Sequence, residues 1–114
     1  MVSIALPETD LRRIQAWCIA MWTMQYADEV RAEHHIRGAK VTLCETRAPW
    51  DGAGDWTHYH FAQLRYRAQR GDWTLHWADR HGRWHEHREG TRFEGTVAEL
   101  LDEIDRDPTS IFKG

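Results

Sequence analysis

Residues 61–88, FAQLRYRAQRGDWTLHWADRHGRWHEHR, alternate between apolar and polar side chains and are punctuated twice at glycine. Ala62, Leu64, Tyr66 and Ala68 alternate with Arg65 and Arg67, and Gln69-Arg70-Gly71-Asp72 has the composition of a turn. Trp73, Leu75 and Trp77 then alternate with Thr74 and His76, and His81-Gly82 leads into Arg83 to Arg88. A period of two with turn residues at the breaks predicts a three-stranded antiparallel meander. With Arg80 opposite Arg83 around a two-residue turn, Trp73, Leu75, Trp77, Asp79 and Trp84 share one face. His76, Arg80, Arg83, His85 and His87 then share the other, so the expectation is one aromatic, core-like face and one cationic face.

Working outward, Val30, Ala32, His34 and Ile36 alternate with Arg31, Glu33, His35 and Arg37, and Val41, Leu43 and Glu45 resume the pattern after Gly38. This is a β-hairpin, and a turn at Arg37-Gly38 or at Gly38-Ala39 gives the same faces. His34, Glu45 and Arg47 fall on the apolar side, where buried polar groups must find partners, so a structural polar cluster is expected there. Residues 48–56 read as a loop whose Trp50 and Trp56 are expected to pin it to the body, and their glycines match no phosphate-cradling motif.

Leu11, Ile14, Trp17, Cys18 and Met21 recur at three- and four-residue steps, so about 8 to 27 is expected as an amphipathic helix capped by Thr9 or Asp10. Val97, Leu100, Leu101 and Ile104 predict a second helix, with Thr96 and Glu99 as a capping box and Pro108 as its stop. Phe112 is expected to fold back onto the core. The fold class is thus α+β: one domain over residues 1–114, with an antiparallel sheet of about five strands flanked by an N-terminal and a C-terminal helix.

The 114 residues, 41% hydrophobic and 29% charged, suit one core that needs neither disulfides nor a structural metal. No apolar run is long enough to span a membrane, and no export signal opens the chain. Cys18 and Cys44 lie apart, outside any CxxC pair, which fits a reducing, cytoplasmic location and thiols packed as small hydrophobes. The net charge of −3 gives no global basic field, yet residues 65–92 hold seven Lys/Arg against four Asp/Glu, and residues 93–114 two against six. Thirteen of the fifteen cations are Arg, the side chain suited to bidentate contacts with carboxylate or phosphate.

Leu11-Arg12-Arg13-Ile14-Gln15-Ala16-Trp17-Cys18, Glu45-Thr46-Arg47-Ala48-Pro49-Trp50, Leu64-Arg65-Tyr66, the run from Trp73 to His85 and the ending Ile104 to Gly114 together resemble the bacterial domain of unknown function 3024 family. The resemblance covers nearly the whole chain and implies a small single-domain bacterial protein, without implying an activity. The sequence departs from the family pattern at His76 and His87, where the family more often has Tyr, and at Lys113, where it often has Trp.

Two functional readings follow. In the first, Arg65, Arg67, Arg80, Arg83 and His85 form a cationic sheet face of a binding or accessory module for phosphate, nucleic acid or an acidic protein, with no cofactor. The competing reading is a metal-dependent, hydrolase-like enzyme, with His76, His85 and His87 holding one transition ion such as zinc. Against it, Arg80 and Arg83 share that face and oppose a cation. His58 and His60 form a second HxH with little nearby in sequence to complete a site, and no GxSxG or HExxH motif occurs.

Overall fold

The computed structural model describes residues 6–22, 30–49, 51–109 and 111–112. Its elements are α1 (Glu8–Trp22), β1 (Val30–Arg37), β2 (Lys40–Arg47), β3 (Thr57–Arg67), β4 (Asp72–Ala78), β5 (Trp84–Glu86), β6 (Glu94–Gly95) and α2 (Val97–Arg106). All strand pairs are antiparallel, in the order β1-β2-β3-β4-β5, with β6 also pairing β4. The α+β architecture is therefore the one expected, with a short sixth strand added.

The helices and the inward residues of the sheet make one core. Ile14 and Cys18 of α1, Val97, Leu100, Leu101 and Ile104 of α2, and Val41, Leu43, Ala62, Leu64, Trp73 and Leu75 of the strands are all buried in it. Phe112 joins them, as expected. Side-chain hydrogen bonds fix the layers: Trp73 Nε1 donates to Asp10 at 2.8 Å, and Trp17 Nε1 to Asp105 at 3.1 Å. Helix α2 has the expected capping box, with Glu99 N–H donating to the Thr96 hydroxyl and Thr96 N–H to the Glu99 carboxylate. It ends at Asp107, which is left-handed at φ 44°, just before Pro108.

At α1 the N-cap expectation is corrected. The first helical hydrogen bond runs from Leu11 N–H to the Pro7 carbonyl, so Thr9 and Asp10 lie inside the helix, and the Asp10 carboxylate serves Trp73. The expected continuation of this helix over 23–27 lies outside the described residues. The first hairpin turns at Gly38-Ala39, since Arg37 faces Lys40.

The main correction concerns β5. It pairs His76 with Glu86, Trp77 with His85 and Ala78 with Trp84, one residue away from the register that Arg80 opposite Arg83 requires. The cause is Asp79. Its Oδ1 accepts from the backbone N–H of His81 and Arg83, its carbonyl accepts from Gly82, and its own N–H donates to the Arg83 carbonyl. That closes a three-residue turn over 80–82, with Gly82 at φ 80° supplying the left-handed position. A one-residue slip exchanges faces. His85 therefore lies on the helix side against Trp77, and Trp84 on the opposite side.

Beyond β5 the chain leaves the sheet and returns. Leu75 accepts at its carbonyl from His87 N–H and donates its own N–H to Phe93, so the segment between them loops out before β6. Within it, His87 meets Glu103 of α2.

Candidate functional site

The face of the sheet away from the helices is assembled by register. Two rows of facing residues cross it: Arg37, Lys40, Arg65, Thr74 and Glu94 in one, and His35, Thr42, Gln63, His76 and Glu86 in the next. The second row is tied together at its centre. Gln63 Nε2 donates to Thr42 Oγ1 at 3.0 Å, Arg65 Nε donates to Gln63 Oε1 at 2.7 Å, and Thr74 Oγ1 and His76 Nε2 lie 2.8 Å apart. Gln63, Thr74 and His76 are buried. Burial, reinforced by the positive charges of Arg65 and Lys40, lowers His76 to about 4.

The first row is electrostatically unusual. Arg37 faces Lys40, and Lys40 faces Arg65, placing three cations on neighbouring strands. Among the described residues none of the three forms an ion pair, whereas Arg12, Arg47, Arg67, Arg88, Arg92 and Arg106 each have a carboxylate partner. Like charges directly opposite one another on a sheet are destabilising.

A second feature lies at the other end of the sheet, where Tyr59, opposite Glu45, and Trp77 are on the helix side and His60 and Trp84 on the open side. The β3–β4 ladder stops at Gln63 and His76, and just beyond it β3 carries a bulge, since Leu43 faces Ala62 but Cys44 faces His60. Past that point the strands border an open cleft of about 690 Å³, lined by Tyr59 and His60 on one side and by Trp77, Ala78, Asp79, Arg80, Gly82 and Trp84 on the other, with Ile111. Asp79 is held down to about 2 by its hydrogen bond with His85 and by the backbone N–H groups of Arg83 and His81. His85 Nε2 lies 2.7 Å from its carboxylate, with the imidazole against Trp77 at 4.8 Å between centroids.

The residues expected to act as one cationic face are therefore divided. Arg65 lies in the cation row. Arg67 is on the same face but committed to Asp72, at 2.8 and 2.6 Å, and to Glu94 at 2.8 Å. Arg80 and Arg83 are exposed on the turn beside the cleft, and His85 belongs to the helix side. The histidine trio is divided too: His76 is on the open face, while His87 is buried beside α2, 2.9 Å from Glu103 and against Phe112.

Of the expected polar cluster, Glu45 and Arg47 pair with each other, while His34 borders a shallow groove with Gln15, Cys18 and Ile19. Trp56 holds its loop by lying 4.9 Å beneath the Arg31 guanidinium, and Trp50 lies outside the described residues. Both thiols are buried, and desolvation raises both, Cys18 to about 12. Arg37, Lys40 and Tyr59 were absent from the sequence-derived sites. The signal for the first two was their position astride a two-residue turn, which makes them a facing pair.

The family model described as Domain of unknown function (DUF3024) matches residues 3–114. The chain belongs to the DUF3024 family. Its α1, sheet and α2 all fall within the matched span, so the open face and the cleft are parts of the family domain. No curated protein and no solved structure matches the chain.

Proposed function

We propose that this DUF3024 chain is a binding module whose open sheet face takes a single-stranded nucleic acid. The observation that carries this reading is the row Arg37, Lys40 and Arg65, three neighbouring cations without ion-pair partners among the described residues. Strand spacing of about 4.8 Å spreads them over roughly 10 Å, a line of positive charge on a flat surface. Sheets that bind single strands combine such cations with aromatic side chains, and here Trp84, opposite Ala78, borders the far end of the face. The acidic residues Asp102 and Asp105 lie on α2, on the opposite side of the sheet, which favours approach of a polyanion to the open face.

The test is fluorescence anisotropy of a labelled oligothymidylate of about ten nucleotides across a range of potassium chloride concentrations. Three phosphate contacts on a single strand predict a log–log salt slope of about −2. The double substitution Arg37→Ala with Lys40→Ala removes two exposed side chains that pack against little, and should bring the slope to about −0.7. Salt-independent binding, or a slope unchanged in the double variant, would remove the cation row from the reading.

A further inference from the structure

We infer that the strand continues past the cation row onto a second phosphate subsite, formed on the same face by the imidazoles of His35, His58 and His60, and that it binds more tightly as these rings take up protons. This inference rests on the proposed function and adds to it the path of the ligand and a dependence on pH.

Register places the three rings on the side of the cations. His35 faces Thr42, in the row next to Arg37 and Lys40. The two rows beyond it are Glu33, Cys44 and His60, then Arg31, Thr46 and His58. The bulge preserves this order: Phe61, the extra residue, turns into the core with Ala62, which returns His60 and His58 to the open side. Side-chain contacts agree. The His35 and His60 rings meet edge to face across β2, 6.5 Å apart between centroids, and His58 Nδ1 lies 3.3 Å from Thr46 Oγ1. The His58-x-His60 pair, which has little near it in sequence, is thus completed from β1.

These rings differ from the other histidines of the sheet. His76 is buried, and His85 and His87 are held by the Asp79 and Glu103 carboxylates. His35, His58 and His60 are exposed, while Cys44 and Thr46 beneath them are buried. The charged groups around the three are Arg31 and Arg37 of β1, Lys40 of β2, and Glu33, whose carboxylate is 3.5 Å from His35 Nε2. Beside the outermost row, the Arg31 guanidinium lies over Trp56, which follows the exposed Asp55 in its loop.

Charge also gives the path its direction. Toward β5 and β6 the open face ends in Glu86 and Glu94, committed to Arg88 and Arg67, so its uncompensated positive charge lies on β1 to β3. From Lys40 to Thr46 the face runs on for six residues of β2, roughly 20 Å, the length of roughly three nucleotides in an extended strand. An imidazolium donates a charge-assisted hydrogen bond to a phosphate oxygen, and histidine changes charge between about pH 5 and pH 8. A phosphodiester keeps its charge throughout that range, so the protons taken up on binding go to the protein.

The experiment repeats the oligothymidylate titration in potassium chloride at about pH 8 and about pH 5.5, near the two ends of the range in which histidine changes charge. Three added phosphate contacts should tighten binding at the lower pH and steepen the log–log salt slope from about −2 to about −4. The triple substitution His35→Gln, His58→Gln and His60→Gln, all at exposed positions, should hold the slope at about −2 at both pH values and leave affinity at the higher pH unchanged. Arg37→Ala with Lys40→Ala should make both slopes shallower by about 1.4 and keep the difference between them. A wild-type slope that does not change with pH, or a steepening that survives the triple substitution, overturns the imidazole subsite and leaves the cation row standing. Failure to bind oligothymidylate at both pH values overturns the proposed function and the subsite together.

Discussion

The two faces of the sheet treat their polar groups in opposite ways. On the helix side each polar group that enters the interior is matched: His87 lies 2.9 Å from Glu103, Thr91 N–H donates to the same carboxylate at 2.8 Å, and Trp73 donates to Asp10. On the open side, three cations stand in facing positions with no ion-pair partner among the described residues. Structure accounts for the polar groups of the first face. It leaves the cation row of the second available for a ligand.

The largest expected effect tests whether the helix-side matching is structural. His87 and Glu103 are 2% and 3% exposed, and the backbone at Gly90 crosses so closely that a Cβ there would collide with both side chains. Glu103→Ala strips His87 and the Thr91 N–H of their shared partner at once. Breaking a buried pair from one side costs about 3–5 kcal/mol. The expected result is a loss of that size in urea unfolding. A loss below about 1 kcal/mol would mean that α2 is held by its apolar face alone.

A smaller effect separates the faces by pH. His76 is buried at about 4, below its ordinary 6.5, because burial and the nearby Arg65 and Lys40 disfavour its charged form. The unfolded chain therefore binds a proton that the folded chain refuses between those two values, and stability falls as pH drops through the window. Above about 6.5 His76 contributes no pH dependence, and below about 4 the loss is complete, roughly 3 kcal/mol at most. His76→Gln keeps a hydrogen-bonding group near Thr74 and removes the titration. Its urea stability should decline less than that of wild type between pH 7 and pH 4, and parallel curves would refute the assignment.

What the sequence makes legible follows from the range of each interaction. Helix α2 is local: Thr96, Glu99, the apolar spacing and Pro108 all lie within one segment, and every one of these expectations holds. The hairpin from Val30 to Arg47 is nearly as local, and its faces follow from parity whichever turn is chosen. The β4–β5 connection fails on one detail. Asp79 bonds two backbone N–H groups and widens the turn by one residue, exchanging the faces of Trp84 and His85 and separating His85 from His76. The cation row requires Lys40 opposite Arg65 across the nine-residue loop 48–56, and no local pattern specifies that register. The bulge that opens the cleft is equally silent in an alternating run.

The smallest predicted effect has an unusual sign and sharpens the contrast most. If the row of Arg37, Lys40 and Arg65 is there for a ligand, the free protein carries repulsion that binding relieves. Lys40→Thr removes the central charge, keeps an exposed β-forming residue and disturbs no ion pair. Stability should rise by about 0.2–1 kcal/mol at low ionic strength, and the gain should shrink as salt screens the remaining charges. Affinity for oligothymidylate should fall in the same variant. Opposite movements of stability and affinity would mark Lys40 as a residue retained against the interest of the fold, the behaviour expected of a binding group. A destabilised variant, or one whose stability does not respond to salt, would place Lys40 with the matched polar groups of the helix side and dissolve the distinction between the two faces.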